Sequence, residues 1–132
     1  MKKKPRITSA ILLKENNKYL LGKRNKENYN GYWVIPGGGL RFGEAILDAG
    51  IREFKEETNL EVLVDKFIGY KEIINIPGDY HSVVFYHLAS LKSGEIKAME
   101  DIDELKFFTV DEIKKIKHAE SVAWVLKELG KW

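Results

Sequence analysis

The stretch that decides the fold runs from Gly37 to Leu60 and reads GGGLRFGEAILDAGIREFKEETNL. Its three leading glycines predict a tight turn, and from Glu44 onward the apolar residues recur at helical spacing. If each residue advances by roughly 100°, one arc of about 140° should face the core. That arc holds Ile46, Leu47, Gly50, Ile51, Phe54 and Thr58. The helix should end near Thr58, because Asn59 tolerates the left-handed conformation of a helix cap.

Strands are predicted on both sides of this helix. Before it, a hairpin spans 7–13 and 19–24, and a short aromatic strand covers 32–35. After it, the sequence predicts strands at 61–72, 82–91 and 106–110, a short helix with Asp111 as its N-cap, and an amphipathic helix at 119–130. Polar loops at 75–80 and 92–103 separate these elements. This order favours an α/β/α sandwich in which a mixed β-sheet carries helices on both faces.

The composition of the chain limits the possible partners and compartments. Its 132 residues suit one domain, predicted over residues 1–132, and the formal net charge of +2 gives no strong attraction to nucleic acid. The basic start, MKKKPR, is interpreted as a solvated tail. No apolar run approaches the roughly 18 residues needed to span a bilayer. We therefore expect a cytoplasmic protein that binds neither nucleic acid nor a membrane.

Three carboxylates mark the predicted helix as a candidate site. Glu53, Glu56 and Glu57 stand at positions i, i+3 and i+4, so their side chains project from one patch of its surface. Like charges repel there, and a bound cation would relieve the repulsion. Because the chain has no cysteine, oxygen ligands favour a hard cation such as Mg²⁺ or Mn²⁺, which also binds phosphate. The alternative for REFKEE alone is a solvated helix face.

The spacing of the whole stretch favours the metal site over that alternative. Gly38 is followed after five residues by Glu44, and after seven more by REFKEETNL, which ends at Leu60. This pattern resembles the signature of the Nudix (MutT-like) hydrolase family: glycine, five residues, Glu, seven residues, Arg-Glu, apolar, any residue, Glu-Glu, any residue, glycine, apolar. Every position matches except the last glycine, which is Asn59, and asparagine is the next-best residue for that cap.

The resemblance implies a Nudix-type α/β/α fold and hydrolysis of a nucleoside diphosphate linked to another group. It also implies divalent metals, Mg²⁺ or Mn²⁺, held by Glu53, Glu56, Glu57 and the backbone carbonyl of Gly38. The metals would neutralise the diphosphate and activate an attacking water. We assign the general base to Glu53, with Glu56 or Glu57 as alternatives, and a homodimer follows by family analogy alone.

Further candidates surround these ligands. By the same resemblance, Glu44 and Arg52 occupy supporting positions, and Arg52 can pair with Glu56 one turn later. Gly39 is a candidate substrate contact beside Gly38. Family members often add a metal-binding acid from outside the signature. Four acids before the last strand are available for this: Glu100, Asp101, Asp103 and Glu104. For each of them, a place in a solvated acidic loop is an equal alternative.

Three short stretches bear on the substrate. LLGKRN (20–25), GYW (31–33) and HAES (118–121) resemble the GDP-mannose mannosyl hydrolase branch, which implies that Arg24 contacts the leaving diphosphate. A surface charge at a strand end is the alternative for Arg24. That branch uses a loop histidine as its base, whereas this chain has no histidine between Lys92 and Phe107 and keeps an intact signature. Attack at phosphorus is therefore favoured over attack at the sugar carbon.

The leading hypothesis is a divalent-metal-dependent pyrophosphatase for a nucleotide sugar that is GDP-mannose-like or ADP-ribose-like. Three alternatives stay open at this point. The chain could be a housecleaning pyrophosphatase for oxidised nucleoside triphosphates, a GDP-sugar glycosyl hydrolase, or a nucleotide-binding regulatory module without turnover. An aromatic ring from Tyr29, Tyr32 or Trp33 could stack on a base, although most such residues belong to a core.

Overall fold

The computed structural model describes residues 3–132, so Met1 and Lys2 of the predicted basic tail lie outside the described residues. The elements follow the order strands, helix, strands, helices. They are β1 (Arg6–Glu15), β2 (Lys18–Arg24), β3 (Trp33–Val34), β4 (Gly37–Gly39), α1 (Ile46–Thr58), β5 (Glu61–Asn75), β6 (Tyr80–Ser93), β7 (Ile102–Phe108), α2 (Val110–Ile113) and α3 (Glu120–Glu128).

The strands form one seven-stranded mixed sheet, whose main path is β3-β2-β1-β6-β5. β1 lies at its centre: it pairs in parallel with β6 and antiparallel with β2 and β4. β7 pairs antiparallel with β2, and β5 and β6 form a long antiparallel hairpin. Because β1 borders both β4 and β6, it brings the glycines before α1 next to strands that lie far along the chain.

Alternation along β1 explains why helices cover both faces of the sheet. Ile11 and Leu13 point to one face and pack with Phe54 of α1. Ala10 and Leu12 point to the other face and pack with α3, which contributes Val122, Val125 and Leu126. The predicted α/β/α sandwich with a mixed sheet is therefore confirmed.

The three glycines before α1 form a strand, so the prediction of a glycine turn is wrong. β4 runs antiparallel to β1, with Gly38 opposite Ser9 and Gly37 opposite Ala10. A Cβ on Gly37 would lie only 2.5 Å from the backbone oxygen of Ser9. Glycine is required here because two backbones approach closely, and that requirement is not visible in a local sequence pattern.

Helix α1 begins at Ile46 and not at Glu44, because Gly43 takes a left-handed φ of 85° and Ala45 is extended. Its end is as predicted: Asn59 adopts the left-handed cap, with φ 65°. Leu47, which was expected to face the core, is 40% exposed. The core contacts come instead from residues further along the helix, with Ala49, Gly50, Phe54 and Thr58 among the buried ones.

The C-terminal elements also differ from their predicted bounds. β7 begins at Ile102, where the buried Ile102 pairs with Arg24 of β2, and it ends at Phe108. Thr109, and not Asp111, is the N-cap of α2. The Thr109 side chain accepts a hydrogen bond from the Glu112 N–H, and the Glu112 carboxylate accepts one from the Thr109 N–H, so the two residues form a capping box.

Across residues 3–132, none of the helices combines the length and apolar character that crossing a bilayer requires. The cytoplasmic location, the homodimer and the absence of nucleic-acid binding stay predictions, as do the domain limits of 1–132.

Candidate active site

One cavity of about 620 Å³ opens beside α1 and extends across the sheet. Its floor follows the pairing of β1: Thr8 lies between Gly39 of β4 and Val84 of β6, and Ala10 lies next to Tyr86. One wall, here called the carboxylate side, consists of Gly37, Gly38, Gly39, Glu53, Glu56 and Glu57. The other wall, here called the tyrosine side, consists of Tyr29, Tyr80, Tyr86 and Ser121.

The glycines of β4 hold two of the three carboxylates. Glu57, only 4% exposed, accepts a hydrogen bond of 2.9 Å from the Gly37 N–H. The Glu53 carboxylate lies against Gly38, because a Cβ on Gly38 would come within 2.3 Å of the Glu53 carboxyl carbon and Oε2. β4 and α1 therefore fit together only if Gly38 has no side chain.

Arg52 uses all five of its N–H donors within this wall. Its Nε and Nη2 donate to the two oxygens of Glu44, at 2.7 and 2.9 Å, as a bidentate pair. Nη1 donates to Glu53 at 2.9 Å and to Glu56 at 2.8 Å, and Nη2 also donates to the Gly39 carbonyl oxygen at 3.1 Å. The predicted contact between Arg52 and Glu56 is present. Arg52 thus ties Glu44, β4 and two of the candidate ligands together.

These contacts shift the pKa values of the charged groups in opposite directions. The hydrogen bonds from Arg52 hold the pKa of Glu44 down at about 2, and the bond to Glu44 raises the pKa of Arg52 above its usual range. Burial raises the pKa of Glu57 to about 8, and the hydrogen bond from Gly37 opposes this rise. Glu44 is therefore held ionised, while the environment of Glu57 disfavours an uncompensated charge.

The donor set on the carboxylate side fits a hard divalent cation. It offers carboxylate oxygens and backbone carbonyls, and among residues 3–132 no histidine lines the cavity. Burial of Glu57 without a cationic partner in direct contact is a second sign of fit, because a cation would stabilise its ionised form. Within the same residues, however, no three acidic or histidine side chains already converge as a ligand cage. Glu53 and Glu56 are instead drawn to Arg52.

Of the remaining residues predicted for the site, some line the cavity and others do not. Arg24 lines the cavity, but its Nε donates to the Asn28 carbonyl oxygen at 2.8 Å, so it also holds the loop after β2. Glu100 and Asp101 line the cavity, whereas Asp103 and Glu104 do not. Asp103 instead accepts a hydrogen bond from Asn25. A direct contact of Arg24 with phosphate stays a prediction.

On the tyrosine side, Tyr29 was named from the sequence as a possible stacking residue, whereas Tyr80, Tyr86 and Ser121 were not identified. Tyr86 is 3% exposed, and burial raises its pKa to about 12, an effect that the Ser121 hydroxyl partly offsets. Burial also raises the pKa of Tyr29. Ile73 and Val84 complete this wall with apolar surface. The wall therefore presents neutral hydroxyl groups and aromatic faces, which suit a base or a sugar.

Comparison with known proteins identifies the family. The NUDIX domain model matches residues 3–129. An ADP-ribose pyrophosphatase of Methanocaldococcus jannaschii is 28% identical over 97% of this chain and 75% of its own length. Nudix hydrolase YvcI of Bacillus subtilis, itself uncharacterised, is 27% identical over 84% of this chain and 70% of its own length. A MutT NUDIX hydrolase structure from Burkholderia pseudomallei is similar in fold, with a TM-score of 0.90 at 23% identity over 96% of this chain and 99% of that one. The chain therefore belongs to the Nudix family, whose members generally use divalent metals, and it is a hydrolase of pyrophosphate bonds.

Proposed function

We propose that this enzyme hydrolyses the diphosphate of a nucleotide sugar that is GDP-mannose-like or ADP-ribose-like, with water attacking at phosphorus. Mg²⁺ or Mn²⁺ is the proposed cofactor, and Glu53, Glu56, Glu57 and the Gly38 backbone carbonyl are its proposed ligands. The observation that carries the proposal is the cavity itself, which joins an acidic wall suited to a cation and a tyrosine-lined wall suited to a neutral ring.

The division of the cavity assigns a part of the substrate to each wall. When bound, a divalent cation would neutralise the diphosphate and make a nearby water more acidic. Glu53 Oε1 is held by Arg52, while among residues 3–132 nothing donates a hydrogen bond to Oε2. Glu53 Oε2 is therefore our candidate to take the proton of the attacking water. Arg52 orients that carboxylate by fixing its other oxygen.

Two further observations support a diphosphate that joins two sugars. The relative in Methanocaldococcus jannaschii is named an ADP-ribose pyrophosphatase, and its similarity covers 97% of this chain. The residues of the tyrosine side carry neutral hydroxyls and no charged group, which favours an uncharged base or sugar in that half. With no histidine among the described lining residues, the acid–base chemistry falls to the glutamates.

The test is a hydrolysis panel in ¹⁸O water with Mg²⁺, read by ³¹P NMR. The panel holds GDP-mannose, ADP-ribose, a dinucleoside polyphosphate and an oxidised dNTP. We expect fastest turnover of a nucleotide sugar, giving a nucleoside monophosphate and a sugar phosphate with ¹⁸O in one phosphate. Label in the sugar would show attack at carbon, and preferred turnover of the oxidised dNTP would show a housecleaning enzyme. Either result would overturn the proposed substrate or mechanism.

A further inference from the structure

Three cationic side chains line the cavity, and two of them already contact other groups of the protein. Lys26 lies 3.6 Å from Asp101, and Arg24 donates to the carbonyl oxygen of Asn28. The third, Arg6, differs from both. Over residues 3–132, no carboxylate lies within ion-pair distance of Arg6 and no oxygen accepts a hydrogen bond from its side chain. Arg6 therefore keeps its donors available for a ligand.

The position of Arg6 follows from the pairing of β1. Arg6 begins that strand, two residues before Thr8, which lies opposite Gly39. Its guanidinium Nη2 lies directly above Gly39, at 3.0 Å from where a Cβ would be. Gly39 is the neighbour of Gly38, against which the Glu53 carboxylate packs. Arg6 thus contacts the glycine strand at Gly39, the residue whose carbonyl oxygen accepts a hydrogen bond from Arg52.

This arrangement gives the carboxylate side an anion-binding group beside its cation-binding groups. A guanidinium presents paired N–H donors that match two oxygens of one phosphate. The missing side chain at Gly39 leaves room for the Arg6 guanidinium, so that Arg6 can meet a phosphate in the cavity beside β4. Arg52 cannot bind the phosphate in this way, because its five N–H donors are all used in hydrogen bonds within the protein.

We propose that Arg6 is a phosphate-binding residue, which holds one phosphate of the substrate's diphosphate beside Gly39. The inference deepens the proposed function and rests on it for the identity of the substrate. It assigns Arg6 to binding and not to proton transfer. Removal of Arg6 should therefore affect binding of the phosphate more than the rate of the chemical step.

The first experiment measures binding without metal, so that it does not depend on turnover. ¹⁵N-edited NMR titrations in EDTA follow the Gly38 and Gly39 amides while ADP, inorganic pyrophosphate or adenosine is added. We expect Arg6→Gln to weaken binding of ADP and pyrophosphate by about tenfold or more, the usual loss for a charged hydrogen bond, and to leave adenosine unchanged. Arg6→Lys should recover part of the loss. The matched control is Lys4→Gln, an exposed basic residue outside the cavity.

The outcomes separate this proposal from the proposed function. Equal pyrophosphate affinity in the wild type, Arg6→Gln and Lys4→Gln would overturn the role of Arg6, and so would a wild type whose glycine amides do not respond. Equal losses for adenosine and ADP would show a structural role instead. With an active substrate, Arg6→Gln should raise KM about tenfold while kcat changes little. If the wild type hydrolyses nothing in the panel, the proposed substrate fails, yet the metal-free titration still decides the role of Arg6.

Discussion

The two walls of the cavity are built in different ways, although they face the same space. The carboxylate side comes from β4 and α1, which are neighbours in sequence, and one arginine, Arg52, connects three of its groups to Glu44. The tyrosine side takes Tyr29, Tyr80, Tyr86 and Ser121 from separate segments, and no charged network ties them. The groups to which we assign the chemistry are therefore close together in the sequence, whereas the groups proposed to select the substrate come together only in the tertiary fold.

The largest effect should follow from removing the proposed base. We expect Glu53→Gln to lower kcat by about 10²- to 10⁴-fold for every substrate of the panel, because general-base catalysis contributes that much. Adenosine binding to the tyrosine side should not change. The matched control is Asp48→Asn, an exposed carboxylate on the same helix that does not line the cavity. Unchanged turnover by Glu53→Gln would contradict the assignment of the chemistry to this wall.

A second change tests whether the carboxylate side is as rigid as its contacts indicate. In Gly38→Ala the new Cβ would meet the Glu53 carboxyl group at 2.3 Å, so the carboxylate must move. We expect kcat to fall by about 10²-fold, the typical cost of displacing a catalytic group by about 1 Å. Steady-state kinetics with a thermal melt would check this.

The neighbouring glycine provides the comparison for that variant. In Gly39→Ala the added Cβ meets only the flexible end of Arg6, at 3.0 Å. The loss of kcat should therefore be much smaller, and any effect should fall on KM. Similar kcat losses for both variants would show that β4 as a whole, and not the fit of Glu53 to Gly38, limits the activity.

On the tyrosine side the expected effect is smaller and depends on the substrate. We expect Tyr80→Ala to raise KM by about tenfold for substrates whose base or sugar reaches that wall, because one stacking contact contributes about 1–3 kcal/mol. Hydrolysis of a minimal diphosphate ester should be unaffected. Tyr70→Ala is the control, since Tyr70 is 58% exposed on the same hairpin and outside the cavity. An equal KM increase for the minimal ester would refute a separate role for this wall.

The same difference explains how much could be predicted from sequence. The positions of Glu53, Glu56 and Glu57 on one helix follow from helical periodicity, and Asn59 ends that helix as expected. Of the tyrosine side, only Tyr29 was named from the sequence as a possible stacking residue, because no local period relates it to Tyr80, Tyr86 and Ser121. Its wall depends on the register of β5 and β6, which shifts at three places, near Glu61, Val64 and Phe67. Each shift changes which side chains reach a given face, and the shifts have no signature in the sequence.

Contacts across the sheet set a second limit on prediction. The glycine strand β4 exists because Gly37 approaches the backbone oxygen of Ser9, and Arg6 reaches the cavity because β1 begins two residues before the partner of Gly39. Both facts require knowledge of which strands pair. Arg52 was placed near Glu56 correctly, yet its bond to the Gly39 carbonyl oxygen needed the same pairing.

The smallest effect is expected from breaking the ion pair between Glu44 and Arg52. This change tests whether the ion pair stabilises only the carboxylate side, with no effect on the tyrosine side. The pKa of Glu44 is lowered from 4.5 to about 2. Its ionised form therefore stabilises the folded protein above pH 4.5, and this contribution is lost as the pH falls toward 2. We expect Glu44→Gln to melt slightly below the wild type at pH 7, with a difference that narrows between pH 4.5 and pH 2.

Thermal melts by circular dichroism at pH 7, 4.5, 3 and 2 would follow this difference in Tm. The control is Glu72→Gln, because Glu72 is exposed on β5. It gives the Tm change that the loss of one solvated carboxylate causes. Because Arg52 would keep its bonds to Glu53, Glu56 and Gly39, adenosine binding should stay the same and only the rate should fall modestly. A Tm difference that is constant from pH 7 to pH 2 would contradict an ionised, Arg52-bound Glu44. A loss of adenosine binding would show that the two walls are coupled across the sheet.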